Sequence, residues 1–239
     1  MPKFLEQWTV QPHEALEEID DGILTVAGEI VMPLGRFPRR MTVVRLAGGG
    51  SLIWSAIALN EREMKRIEGW GEPRFLIVPN QAHRLDSRIW KQRYPAIKVI
   101  APPGARSAVE EAVSVDAASD VVHDPQIGFH LVEQKAQEFA LTVQRAAGTT
   151  LIVNDSIGHV RHPHGIGAWI MARLMGFGVS GPQVPRVVRR MMIDDPKGLA
   201  RQFRRWAEIP DLKRIIVSHG EPIAGDPAGA LRKLAASLD

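Results

Sequence analysis

Three short apolar runs, each stopped abruptly by side chains that hold protons or cations, constrain this chain more than anything else in it. Phe75-Leu76-Ile77-Val78 runs into Pro79-Asn80-Gln81-Ala82-His83-Arg84-Leu85-Asp86. Leu151-Ile152-Val153 ends in Asn154-Asp155, and Ile215-Ile216-Val217 ends in Ser218-His219-Gly220. A short apolar run bounded by turn signals reads as a strand buried on both faces. Open α/β sheets gather their ligands just beyond the carboxyl ends of such strands. The three runs therefore predict a mixed α/β chain whose His and Asp residues collect at the strand ends, as a metal site or the remains of one.

The elements between these runs follow from punctuation. Trp8-Thr9-Val10 and Ile23-Leu24-Thr25-Val26-Ala27 read as short strands joined by the acidic stretch Glu14 to Asp21, and Pro33 to Arg40 as a Pro/Arg loop. Met41 to Leu46 and Ser51 to Trp54 read as an antiparallel pair about the turn Gly48-Gly49-Gly50. Asn60 before Glu61-Arg62-Glu63 predicts an N-capped helix with an acidic first turn. A helix over 87–93, a strand over 97–100, a helix over 105–113 and a short strand over 120–123 follow. Residues 127–153 give three strands in succession, which predicts antiparallel pairing. A Gly/His/Pro loop is expected from 157 to 167, then helices at about 168–176, 185–193 and 197–208, the last opened by Asp195-Pro196. A strand over 213–217 and a final helix from Pro227 to Leu238, with Leu231, Leu234 and Leu238 on one face, complete the chain. The economical packing for this order is an α/β (α+β) fold of two mixed sheets with helices on their outer faces, forming one domain of two halves, roughly 1–125 and 126–239.

Composition narrows the chemistry. With 239 residues the chain can bury a sizeable core. It contains no cysteine, which excludes disulfides, thiol catalysis and iron–sulfur clusters and leaves His, Asp, Glu and Asn as metal ligands. A formal charge of +3 permits an acidic substrate without demanding one. The clusters Arg36/Arg39/Arg40, Arg186/Arg189/Arg190 and Arg201/Arg204/Arg205 read as solvated faces. The amino terminus has no long apolar stretch of a signal peptide, and no run approaches a membrane span, so a cytoplasmic protein is expected. The expected partner is a small-molecule substrate rather than nucleic acid or a membrane, with a homodimer possible.

Four groups of residues can carry chemistry. Asn80, His83 and Asp86, three apart, can turn inward if the chain coils at the strand end, since zinc or iron takes imidazole nitrogen and carboxylate oxygen. The alternative is that Asp86 caps the 87–93 helix and His83 packs in the core. Asp155, directly after a β-branched strand, is costly to bury unless a cation or a set of donors satisfies it; the alternative is a turn at the strand exit. His219 is aimed by the sharp turn that Gly220 allows. His159, His162 and His164 lie within six residues and can complete a metal site or bind an anion. Ser156 and Ser218 lack a paired base, and the Gly48–Gly50 turn is a poor phosphate loop.

The order of these motifs resembles the metallo-β-lactamase-like fold, over roughly residues 20 to 225. The resemblance rests most on Asp155 and on Ser218-His219-Gly220-Glu221-Pro222-Ile223. It implies a four-layer αββα sandwich and a metal-dependent hydrolase of a small ester, lactone, thioester or phosphoester, with zinc, iron or manganese activating water. It further implies that Asp155 bridges or orients while His83, Asp86 and His219 hold the cation, with His83 and Asp155 in the catalytic roles. The chain departs from the family's His-x-His-x-Asp-His motif, offering Asn80, His83 and Asp86 in its place. Around Glu133 to Phe139 the family's mid-chain His is missing, and Glu138 is the substitute. The Asn80-x-x-His83 pattern followed by Trp90 and Tyr94-Pro95 resembles an uncharacterised bacterial branch of the superfamily. The runner-up reading is a metal-free domain that keeps the fold for binding.

Overall fold

The structure, a computed structural model, describes residues 4–32, 35–132, 134–163 and 166–239. The chain divides into two compact units. The first comprises Met1–Met32 and Arg39–Pro125; the second comprises Pro33–Pro38 and Gln126–Asp239.

The first unit is built on a six-stranded sheet with strands in sequence order: β1 (Glu17–Asp20), β2 (Ile23–Met32), β3 (Gly35–Arg45), β4 (Ser51–Trp54), β5 (Pro73–Ile77) and β6 (Lys98–Ile100). β1–β2 and β3–β4 pair antiparallel, whereas β4–β5 and β5–β6 pair parallel. Parallel neighbours need a crossover, and helices supply it. α1 (Glu61–Glu68) joins β4 to β5, and α2 (Ser87–Arg93) joins β5 to β6. Asn60 caps α1 as expected, its Oδ1 accepting the Glu63 N–H at 3.1 Å. Met64 and Ile67 of α1 and Ile89 and Trp90 of α2 share one core with Met41, Val43, Ile53, Leu76 and Val99 of the sheet. A turn of 3₁₀ helix (Pro103–Ala105) and the short α3 (Arg106–Glu110) follow β6, so the helix expected over 105–113 is shorter than its pattern.

Three expectations fail in this unit. Trp8-Thr9-Val10 is not a strand: Trp8 anchors the segment by its side chain instead, donating Nε1–H to the Leu59 carbonyl at 3.0 Å and stacking 5.7 Å from Trp90. The strand lies in the acidic stretch, as β1, because a sheet edge accepts charged side chains that a centre would reject. The Pro/Arg loop is strand from Gly35 onward; Pro33 and Leu34 lie outside the described residues. Only Thr42 to Arg45 of β3 pair with β4, so Pro38 sits where its missing N–H breaks no bond to that neighbour. The segment 120–123 is irregular, since Asp120 Oδ1 accepts the backbone N–H of Val122 at 2.9 Å and competes with any ladder.

The second unit holds a five-stranded sheet of order β11-β10-β9-β8-β7, from β7 (Ile127–Val132), β8 (Glu138–Arg145), β9 (Gly148–His159), β10 (Leu212–Gly220) and β11 (Ile223–Ala224). β7, β8 and β9 pair antiparallel, as the run of strands predicts, and β9 pairs parallel with β10. The crossover between them carries α4 (Ile166–Met175), α5 (Arg186–Met191) and α6 (Pro196–Ala207), and α7 (Pro227–Ala236) closes the chain. Asp195 and Asp226 cap α6 and α7, each accepting a backbone N–H at 2.8 Å ahead of a first-turn proline. Leu199, Phe203 and Trp206 of α6 and Leu231 and Leu234 of α7 pack on Leu151, Val153, Ile215 and Val217. Ile152 and Ile216, on the opposite face of the same strands, are also buried, which agrees with strands covered on both sides.

β9 and β10 run further than their apolar residues suggest, so the loop expected from 157 begins only after His159. Val153 pairs with Val217 and Gly158 with His219, leaving Asn154 to Ile157 opposite Ser218 alone. Four residues against one make a wide bulge, which re-aims side chains without ending the strand.

Phe203 is fully buried between α6 and the sheet, whereas Asn60 contributes one cap. Phe203→Ala is expected to lower unfolding free energy by about 3–5 kcal/mol and Asn60→Ala by about 1 kcal/mol, measured by urea denaturation. Equal effects of the two would contradict this assignment of the cores.

Candidate metal centre

The bulge in β9 delivers Asp155, and the end of β10 delivers His219. Both side chains are buried, and His219 Nε2 lies 2.8 Å from Asp155 Oδ1. The other ring nitrogen, Nδ1, lies 2.7 Å from the carbonyl oxygen of Pro38. A carbonyl only accepts, so Nδ1 carries the proton and Nε2 is the nitrogen turned to the carboxylate. Phe37 and Phe177 stand 4.7 and 5.9 Å from the imidazole and shield it from water. Gly220 turns the chain immediately afterwards with φ at 113°, and a Cβ there would fall 2.0 Å from the His159 carbonyl oxygen. Only glycine fits that position.

Glu138, at the start of β8, lies behind Asp155. Its two carboxylate oxygens accept the backbone N–H groups of Asp155 at 3.1 Å and Ser156 at 3.2 Å, closing the donors that the bulge leaves out of the ladder. Glu138 thus braces the backbone that carries Asp155 and has both oxygens engaged, which differs from the ligand role its position implied. Burial and then the nearby Asp155 charge raise its pKa to about 7, against the lowering effect of the two N–H groups. For His219 burial opposes the charged form, but the Asp155 hydrogen bond and charge, with the Pro38 carbonyl and Glu138, outweigh it and raise the pKa.

In the first unit the Asn80–Asp86 segment coils as expected, with different partners. Asn80 is fully buried and its Oδ1 accepts the Ala82 N–H at 2.8 Å, so it holds the turn. His83 Nδ1 meets Ser55 Oγ at 2.7 Å. Ser55 has a left-handed backbone, φ 52°, a conformation that costs a non-glycine residue about 1 kcal/mol or more. Asp86 occupies the cap position of α2 but makes no side-chain cap. One of its oxygens takes the Arg39 guanidinium and the other accepts the Ala58 N–H at 2.9 Å. Burial raises the Asp86 pKa while Arg39 opposes the rise. Both the ligand and the capping expectation for Asp86 give way to a buried ion pair.

The histidine cluster also disperses. His159 Nδ1 lies 2.9 Å from the Glu221 carbonyl oxygen, and the exposed His162 pairs with the Glu221 carboxylate at 2.9 Å. His164 lies outside the described residues. Arg84 is engaged with the Ala108 carbonyl and Glu111, so it is not poised for a substrate anion. Sequence reasoning missed Ser55, Pro38, Phe37 and Arg39. A strand-embedded Pro carries no local mark of a carbonyl aimed at a histidine 181 residues away.

The fold that these elements form is the metallo-β-lactamase-like one, two mixed sheets with helices. The chain is similar to the DIM-1 metallo-β-lactamase exposed to ceftazidime, with a TM-score of 0.64, 13% identity and coverage of 97% of this chain and 100% of that one. It is similar to the FIM-1 metallo-β-lactamase from Pseudomonas aeruginosa in its mono-zinc form, with a TM-score of 0.59, 13% identity and coverage of 99% and 97%. It is also similar to a metallo-β-lactamase from Pontibacter korlensis, with a TM-score of 0.61, 11% identity and coverage of 92% and 98%. At such identities the likeness defines the fold. No protein-family model matches the chain, and no curated protein matches it in sequence.

The pKa directions set the pH dependence of the metal-free protein. A raised His219 pKa adds stability below the ordinary histidine value that is lost as pH rises through the folded one. A raised Glu138 pKa acts with the same sign, so stability falls between the ordinary carboxylate range and about pH 7. Metal-free protein is expected to melt at lower temperature as pH rises from about 5 to about 8, and Glu138→Gln to flatten the acidic part of that slope. A melting temperature that climbs with pH in chelator-treated wild type would contradict the assignment.

Proposed function

We propose that this chain is a metal-dependent hydrolase that cleaves a small ester, lactone, thioester or phosphoester. The observation that carries the reading is the His219–Asp155 pair. An imidazole whose Nδ1–H is held by a backbone carbonyl and whose Nε2 faces a carboxylate has the donor chemistry of a divalent metal site. The likeness in fold to metallo-β-lactamases, one of them described in a mono-zinc form, supports the same reading.

In this proposal His219 Nε2 and Asp155 supply two ligands. Imidazole nitrogen with carboxylate oxygen suits zinc, and iron or manganese are compatible. The cation supplies a water of lowered pKa able to attack a carbonyl or phosphoryl centre. The remaining work belongs to the chain. Pro38 fixes the His219 tautomer, Phe37 and Phe177 exclude competing water, and Glu138 holds the bulged backbone so that Asp155 keeps its direction. One ligand site rather than two is favoured, because Asn80 and Asp86 are committed elsewhere.

One observation favours a second reading, a metal-free binding domain. His219 and Asp155 satisfy each other, so the pair is stable as imidazolium and carboxylate without a cation. Metal content decides between the two. Protein purified without chelators is expected to carry about one equivalent of zinc, iron or manganese, and Asp155→Ala/His219→Ala to carry none. Zinc at about 100 times its Kd is expected to stabilise wild type by about 2.7 kcal/mol. Folded, metal-free wild type that divalent ions do not stabilise would sink the hydrolase and leave the binding domain.

A further inference from the structure

Between Asp155 and Asp194 the chain has no acidic residue, while it has five arginines: Arg161, Arg173, Arg186, Arg189 and Arg190. α4 and α5 lie in this segment and carry all of these arginines except Arg161. Of the six large apolar side chains exposed among the described residues, four lie there: Trp169 at 42%, Ile170 at 46%, and Leu174 and Met191 at 65% each. Trp169, Ile170, Arg173 and Leu174 follow the spacing of one helix face, and the Arg173 guanidinium sits over the Trp169 ring at 5.4 Å. The inner faces are occupied: Ala172 and Met175 of α4 and Val187 of α5 pack with Val160 and Phe177. The end of α4 adjoins the start of α5, where a Cβ at Gly176 would come 3.0 Å from the Arg186 side chain. Among the described residues Arg173, Arg186, Arg189 and Arg190 make no ion pair, and Arg189 Nη1 donates to the Ser237 carbonyl at 3.5 Å. All three arginines of α5 are exposed.

We propose that the outer face of α4 and α5 docks on an anionic lipid bilayer, lying in its interface. An interfacial helix needs apolar side chains that enter the acyl boundary and cationic ones that meet the lipid phosphates, and long arginine stems serve both ends. Charge complementarity selects this occupant. A second copy of the chain in a two-fold contact would set the arginines against each other. Nucleic acid would use the arginines and Trp169 but leave Ile170, Leu174 and Met191 without a partner. No helix among the described residues is long and apolar enough to cross a membrane, so the contact is peripheral. The proposal revises the sequence expectation that the Arg186/Arg189/Arg190 cluster is merely solvated and that no membrane is met.

Co-sedimentation of the full chain with phosphatidylcholine vesicles, with and without phosphatidylglycerol, tests it. Binding is expected only with phosphatidylglycerol, and to weaken as salt rises. Each arginine removed in Arg189→Gln/Arg190→Gln is expected to lower partitioning about fivefold. Trp169→Ser/Leu174→Ser should lower it at least tenfold, with melting temperature retained because these side chains are exposed. Should either variant fail to fold, the lipid and salt dependence of wild type still decides. The proposal is overturned if phosphatidylglycerol vesicles do not pull down the protein or if folded variants bind as wild type does. It is overturned equally by a dimer in sedimentation velocity that Leu174→Ser dissolves, or by tighter binding to a DNA duplex than to vesicles at equal salt.

Discussion

A histidine that has already given its Nδ1 hydrogen to a carbonyl faces a carboxylate at 2.8 Å with a proton between Nε2 and the oxygen. To take a cation instead, the two must lose that proton and move apart, since metal bonds of about 2.0–2.2 Å to each need a wider gap. His219 and Asp155 are in this position, and the surrounding structure keeps them there. Burial makes a lone carboxylate costly, so Asp155 cannot simply be left bare. The raised pKa of His219 is the metal-free answer, and the same free energy would oppose the proposed metal, which would have to release that proton to bind. Stability without metal and affinity for it therefore trade against each other through one atom pair.

That pair depends on a backbone irregularity. Two regular parallel strands would place alternate side chains on opposite faces at fixed intervals. The four-to-one bulge between β9 and β10 breaks this interval and frees N–H groups that need acceptors. Glu138, from the neighbouring strand, supplies them. The residue standing where a ligand was expected thus works one layer behind the site, on the backbone. Asp86 shows a similar shift: its carboxylate is retained but neutralised by Arg39, which leaves the first motif holding structure together.

The parts of this arrangement that were legible in the sequence are those set by local chemistry. Leu151–Val153 and Ile215–Val217 announce buried strands by β-branched runs, and Asn60, Asp195-Pro196 and Asp226-Pro227 announce helix starts by their caps. The order of these elements was enough for the fold. What escaped depends on partners far apart in the chain. Arg39 reaches Asp86 over 47 positions, and Pro38 reaches His219 over 181. β9 continues through Asn154-Asp155-Ser156 against its own composition because Glu138 accepts from the bulge. Trp8-Thr9-Val10 reads as a strand in sequence, whereas Trp8 is held by its indole hydrogen bond to Leu59 and its contact with Trp90. Asp155 and His219 stand out in the sequence for the opposite reason, since each comes within two residues of an apolar run that marks its strand.

The central claim of the proposal is that His219 Nε2 and Asp155 would hold a divalent cation once the proton they share is released. A crystal of the protein grown with zinc, with anomalous differences measured above and below the zinc edge, tests it most directly. The account predicts one strong peak bonded to His219 Nε2 and an Asp155 oxygen, with Nδ1 still on the Pro38 carbonyl. A map without a peak there, and with the 2.8 Å contact intact at saturating zinc, would contradict it.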